Sequence, residues 1–445
     1  MPDSSETGET GGKSATGRDR AHTSRSLHSS RLSRVTLPVL QRTVMNNMGE
    51  AWYKRTRRFL HFMDSHLYMP TLPRHFRHIL FLASSLLVVM PGLAADSAEE
   101  FRFATEGYRY AFPRDHGAHE EFRTEWWYYT GQVTTKDGRP FGYELTFFRR
   151  GMPREQTKTL PSKWAVTHLY LAHFAVSDLS KGRFHYTDKM SRAGLGKAGA
   201  AQDHLHVWVD QWSVESPSSA PDTQTLQAAE GDIAIHFTVS PGKPLVVHGT
   251  DGISHKGSAT GQASHYYSFT RLATTGTLTI GNESFDVAGT SWMDHEFGSA
   301  DLDKDLVGWD WFSLQLDDQR ELMLYRLRRK DGSAHPASSG TLIDRDGRGH
   351  HLLIGDFTLE STSYWTSPAS KAHYPQRWRL TIPSQQLSLE LVPRMAEQEL
   401  SPKSSTQVTY WEGAIETTGT AQGKPIHGQG YMELVGYAER IMQKL

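Results

Sequence analysis

From residue 100 onward the chain runs in short alternating stretches of apolar and polar positions and never settles into a helical period. The stretch 124–133 (TEWWYYTGQV) is rich in aromatic residues and extended in character. Lys136-Asp137-Gly138-Arg139 supplies a turn, and 141–149 (FGYELTFFR) returns. An Asp-Gly pair between two such runs predicts a β-hairpin. The same reading predicts strands at 164–177, 183–187, 204–215, 231–239, 264–272 and 276–280, punctuated by Asp178, Gly182, Pro241-Gly242 and Gly276.

The second half repeats the theme. A strand at 308–316 is followed by a turn at Asp317-Asp318 and a return strand at 321–327. Trp126 and Gln132 have the same spacing as Trp309 and Gln315, and the pairs Tyr128-Tyr129 and Trp311-Phe312 fall at the same offset. This weak internal repeat predicts two related β units. Further strands are expected at 341–345, 351–354, 377–382, 386–392, 408–415 and 428–436. Many short antiparallel strands without helices predict closed barrels or sandwiches, divided into domains at 100–303 and 304–445.

Composition narrows the function classes. The 445 residues carry a formal charge of −1, so no basic field argues for nucleic acid as a partner. There is no cysteine, which excludes disulfides, thiolate zinc sites, iron–sulfur clusters, a cysteine nucleophile and a lipoprotein anchor. The 12 tryptophans suit a cavity lined by rings. Near the N-terminus an apolar core at 78–90 follows Arg74 and Arg77 and precedes Pro91-Gly92-Leu93-Ala94-Ala95. That pattern predicts a signal peptide at 69–95 starting at Met69, cleaved after Ala94 or Ala95, and a periplasmic or secreted product. Residues 1–68, rich in Ser, Thr and Arg, are expected to be a disordered or mis-assigned extension.

The densest chemistry lies in 289–298 (GTSWMDHEFG), where Asp294, His295 and Glu296 stand between Trp292 and Phe297. Two carboxyls, an imidazole and ring faces are suitable parts for proton transfer to a substrate in an apolar pocket. The same residues also suit a hydrogen-bonded turn closing the first barrel. In a strand, Asp294 and Glu296 would share one face and His295 the other. Glu125, ahead of Trp126 and Trp127, is expected either at a barrel rim or paired with Arg149 or Arg271. Trp126, Trp127, Trp309 and Trp311 suit barrel core ahead of ligand lining. His204 and His206 would share a strand face with Trp208 and Trp212, but no third ligand is spaced to join them, so no metal is expected. No Gly-x-Ser-x-Gly elbow or phosphate loop occurs, so neither an ordinary serine hydrolase nor a nucleotide cofactor is expected.

Several segments resemble the secreted family that includes AttH and the bacterial carotenoid 1,2-hydratases (hydroxyneurosporene synthases). They are 125–131 (EWWYYTG), 141–149, 263–268 (ASHYYS), Thr270-Arg271-Leu272, 292–298, 308–312 (GWDWF) and 428–437, in order along about 100–440. The resemblance implies an all-β protein of two tandem lipocalin-like antiparallel β-barrels with an apolar ligand cavity. The hydratase reaction it implies protonates an isolated C=C bond and lets water capture the tertiary cation. Asp294 or His295 is then the acid, Trp292, Trp309 and Tyr325 are cation-facing rings, and Glu296 orients His295 or activates the water. Glu125, Trp126, Trp127, Tyr143 and Trp311 complete the expected ligand contacts, and no cofactor is called for. Where the hydratases carry a tryptophan two residues after the motif histidine, this chain has Phe297. The expected partner is an apolar isoprenoid or lipid. The alternatives are a non-catalytic carrier serving an envelope ABC transport system, and a pericyclase or secreted hydrolase.

Overall fold

A computed structural model describes residues 101–153 and 166–439. The leader expected at 69–95 and the extension before it lie outside the described residues. The first sheet is built from β1 (Thr124–Thr135), β2 (Pro140–Gly151), β3 (His168–Asp178), β4 (Arg183–Arg192), β5 (Ala198–Ala200), β6 (His206–Val209), β7 (Trp212–Glu215), β8 (Gln224–Glu230), β9 (Ile233–Pro241), β10 (Val246–Val247), β11 (Ile253–His255), β12 (Ala263–Ile280) and β13 (Glu283–Gly298). The second comprises β14 (Leu306–Leu316), β15 (Glu321–Arg329), β16 (Ser339–Ile343), β17 (Gly349–Leu353), β18 (Thr358–Thr366), β19 (His373–Ile382), β20 (Leu387–Pro393), β21 (Glu399–Leu400), β22 (Tyr410–Ala421) and β23 (Lys424–Val435).

Both sheets are antiparallel and curl into near-barrels, giving the tandem lipocalin-like architecture expected from the sequence. Along the first, the strand order is β4-β3-β2-β1-β13-β12-β9-β8-β7-β6-β5; along the second it is β17-β16-β15-β14-β23-β22-β20-β19-β18. The first hairpin turns at Gly138, whose φ of +89° only glycine adopts without strain. The stretch read as one strand at 204–215 is two, β6 and β7, because Asp210 turns the chain with φ +53°. Trp208 and Trp212 therefore do not share a face: Trp212 is buried in the barrel core and Trp208 stacks on His206 outside it. Conversely, the runs at 264–272 and 276–280 are one long strand, β12, with a bulge between Phe269 and Leu272.

The repeat seen in the sequence is a repeat of topology. β1 lies between its hairpin partner β2 and the last strand of its sheet, β13; β14 lies likewise between β15 and β23. These strands bury both faces. One face fills its own barrel with residues such as Trp127, Tyr129, Phe312 and Leu314. The other meets the opposite barrel through Tyr128, Trp292, Trp311, Tyr266, Tyr325 and Tyr431. Period-2 alternation therefore sorts side chains between a barrel core and an inter-barrel seam, not between core and water.

Candidate active site between the barrels

β13 decides the site. It pairs with β1 and β12, placing Asp294 between Tyr128 and Ser268, and His295 between Trp127 and Tyr267. The expected triplet is split by strand alternation: Asp294 and Glu296 face the seam, and His295 faces into the first barrel.

On the inner side, Glu125 is buried and ion-paired with Arg149, Oε2 to Nε 2.8 Å, so of the two partners the sequence offered it takes Arg149. Its Oε1 contacts His119 Nδ1 at 2.8 Å and His295 Nε2 at 2.9 Å. His295 Nδ1 lies 3.0 Å from the Tyr267 hydroxyl, which also meets His116 Nδ1 at 2.7 Å. Burial alone would raise the pKa of Glu125, but Arg149 and His119 hold it well below the usual carboxylate range. Burial lowers the pKa of His295, while Asp115 and Glu125 raise that of His119 in spite of burial. Trp127 stacks on His295 here, and Tyr143 sits in the barrel core, bonded to Ser291 at 2.5 Å. His119, Glu125 and His295 make a nitrogen, nitrogen, oxygen donor set within 4.8 Å, a grouping that residue spacing did not reveal. The same atoms already bond one another, and Glu125 Oε2 holds Arg149 Nε, as in a structural network, with Arg149 Nη1 left buried without a partner. Asp303, Asp305 and His335 form a second, more exposed grouping.

On the seam side, Asp294 accepts three donors: the Tyr266 hydroxyl at 2.6 Å, the Trp292 indole N–H at 2.6 Å and the Ser268 hydroxyl. No cation is among these partners. Burial pushes its carboxyl up to about 7 against those three bonds. Glu296 accepts from the Ser264 hydroxyl and pairs with Lys256 Nζ at 3.0 Å. Burial would lower the Lys256 ammonium, but Glu296 raises it. Lys256 also stands 4.2 Å from the Tyr325 ring and 5.1 Å from the Tyr266 ring. Trp311 packs edge-on against Trp292 and Tyr128, and its indole N–H reaches the Tyr266 hydroxyl at 3.2 Å.

The seam holds further acids that the sequence reading passed over: Glu412 and Glu433 from the second barrel, and Glu144 from β2 of the first. Glu433, opposite Trp311 in the sheet, accepts the Trp309 indole N–H at 2.7 Å and is pushed by burial up to about 8. Glu412 accepts the Tyr128 hydroxyl at 2.7 Å; burial, with Glu144 and Glu433 beside it, raises its pKa well above the carboxylate range. Glu144, bonded by Thr146 and Tyr410, is raised by burial to about 7. One oxygen each of Glu144 and Glu412 is buried without a partner. The available signal was the repeat: Trp126 corresponds to Trp309, so by register Asp294 corresponds to Glu433. Trp126 and Trp309 are half-buried at the margin of this seam. Of the expected contacts, the seam gathers Asp294, Glu296, Trp292, Trp126, Trp309, Trp311 and Tyr325, and leaves His295, Glu125, Trp127 and Tyr143 on the far side of the β1–β13 wall.

The chain matches the AttH-like family over residues 103–437. A crystal structure of a putative AttH from Nitrosomonas europaea is 34% identical, with a TM-score of 0.68 over 76% of this chain and 99% of that one. Kievitone hydratase from Nectria haematococca shares the fold at 17% identity and a TM-score of 0.58, over 77% of this chain and 97% of its own. No curated protein sequence matches. On the length of the family match and the likeness to the Nitrosomonas protein, this chain belongs to the AttH-like family.

Proposed function

We propose that the seam is the active site of a hydratase-like enzyme adding water to a C=C bond of an apolar, isoprenoid or lipid-like ligand, with Asp294 as the acid. The observation that carries this reading is Asp294: a buried carboxyl that is neutral or ionised in comparable measure near pH 7, held by three donors and faced by Trp292, Trp311 and Tyr266. An acid whose pKa matches the ambient pH both gives and regains a proton readily. Ring faces suit the cation that protonation creates. Glu296 and Lys256, on the same face, are placed to orient the water that captures it. The likeness to kievitone hydratase supports the fold that houses such a site. The proposal includes delivery to the periplasm or exterior by the expected leader.

The test is turnover of an isoprenoid extract in ¹⁸O-labelled water, read by mass spectrometry. Wild type should add one labelled water, and Asp294→Asn should abolish the addition while still retaining the extract's lipid on gel filtration. An Asp294→Asn protein that turns over like wild type removes Asp294 as the acid. Retention of lipid by both proteins with no turnover by either favours a carrier over an enzyme.

A further inference from the structure

His248 is buried at the seam in the residues leading from β10, and the acid–base scheme above gives it no role. Its Nε2 lies 2.6 Å from Ser268 Oγ, and Ser268 Oγ in turn bonds Asp294 Oδ1. Its Nδ1 lies 2.8 Å from Thr341 Oγ1, across the seam in β16. Four groups thus form one unbroken hydrogen-bonded line from the first barrel into the second. Directly opposite Thr341 on the neighbouring strand β17 stands His351, only half-buried, whose own Nδ1 lacks a partner. Residues opposite one another on adjacent strands share a face, so the line ends, at the buried Thr341, beside a half-buried imidazole whose Nδ1 is itself shielded.

We propose that Asp294, Ser268, His248 and Thr341 form a proton wire that reloads the acid from the solvent beside His351. The inference rests on Asp294 being the acid. After Asp294 has given its proton to carbon, the carboxylate takes the Ser268 hydroxyl proton. Ser268 takes the Nε2 proton of His248, and His248 Nδ1 takes the hydroxyl proton of Thr341. Thr341 recovers a proton from water, which balances the proton released when water captures the cation. The imidazole remains neutral throughout and changes tautomer, from Nε2–H to Nδ1–H. That requires a histidine that resists becoming a cation, and the site supplies one: burial pushes His248 down to about 3, with Lys256 and His351 as the charges acting on it. Tyr266, whose ring lies 4.4 Å from the imidazole, is the remaining titratable neighbour. Ser268 and Thr341 are hydroxyls that both donate and accept, as every interior member of such a line must. They and His248 are positioning and relay groups, not groups that touch the substrate.

The experiment needs no substrate. The infrared carbonyl band of protonated Asp294 is isolated as the difference between wild type and Asp294→Asn, and its shift is timed after transfer to D₂O. Wild type should exchange at least tenfold faster than His248→Gln and Thr341→Val, conservative changes checked for folding by circular dichroism. The ¹⁵N signals of His248 should switch tautomer with the same pH midpoint as the Asp294 band, and fail to switch in Asp294→Asn. Equal exchange rates in wild type and both variants overturn the wire and leave Asp294 as the acid untouched. Absence of any Asp294 band at pH 6 overturns both.

Discussion

At the scale of single residues, the two faces of β13 show how neighbours in sequence acquire opposite electrostatics. Glu125, beneath His295, is surrounded by donors and a guanidinium and stays charged; Asp294, one residue and one face away, has only neutral donors and shares its proton. Arg149→Met would leave Glu125 buried without its cation. Loss of one partner of a buried pair typically costs about 3–5 kcal/mol. Urea unfolding should show a loss of that order, largely recovered by adding Glu125→Gln, and a loss under about 1 kcal/mol would mean that His119 alone holds the charge. Glu433→Gln should act in the opposite sense. The amide cannot ionise, so the variant should match wild type near pH 4, below the unfolded pKa of the carboxyl, and exceed it in thermal stability by a margin that grows up to pH 8.5, where wild type has lost the protonated form. Indistinguishable curves at both pH values would count against a neutral Glu433.

At the scale of elements, the hairpins were legible because Asp137-Gly138 between aromatic runs leaves little other choice. β13 was not legible in full. A strand buried on both faces has no polar face for periodicity to detect, and the same is true of its partner β12. Nor does local sequence say that Lys256, forty residues upstream of Glu296, will reach it; only the pairing of β11, β12 and β13 does that. The repeat was visible as spacing, yet its use became clear only from two glutamines. Gln132 of β1 donates to the carbonyls of Ile415 and Gly430, at 2.8 and 2.9 Å, in the second barrel. Gln315 of β14 donates to those of Thr270 and Ser291, at 2.8 and 3.0 Å, in the first. Each side chain spans the seam to bind backbone on the other side. Gln132→Ala and Gln315→Ala should each cost about 1–3 kcal/mol through unpaired buried carbonyls, and by similar amounts. Chemical denaturation of the two variants checks this; a large cost for one and none for the other would show that only one of the two clasps holds the barrels.

At the scale of the whole molecule, opposing sets of buried groups shape how stability depends on pH. Burial holds Asp294 and Glu144 near 7 and Glu433 near 8, with Glu412 also raised. For a carboxyl with a raised folded pKa, stability is fully present below its unfolded pKa and is lost as pH rises through the folded one. Burial lowers His173 and His248 to about 3 and His116 and His265 to about 4. These imidazoles lose stability in the other direction, as pH falls below the unfolded value of roughly 6.5. Between pH 4.5 and 6.5 the two sets oppose each other. From 6.5 to 8, of these two sets only the carboxyls change, each by up to roughly 1.4 kcal/mol per pH unit while it stays protonated, and His119, raised by its acids, loses stability in the same direction. Scanning calorimetry should therefore show a broad plateau at mildly acidic pH and a decline toward pH 8. A melting temperature that rises from pH 6.5 to 8 would contradict the neutral state assigned to the seam acids.

The reciprocal glutamines carry one more implication. A pair of contacts in which each half gives the other what it receives is the signature of a two-fold axis, the arrangement that two identical subunits adopt. Here both halves belong to a single polypeptide, so a substitution at the axis enters once and not twice. Ser268 and Glu412 occupy corresponding places beside Asp294 and Glu433, and they already differ. Fusion of the halves thus permits what a symmetric dimer forbids: one of two mirrored acids can keep a relay of hydroxyls while the other is crowded by carboxyls, giving one molecule two unlike poles.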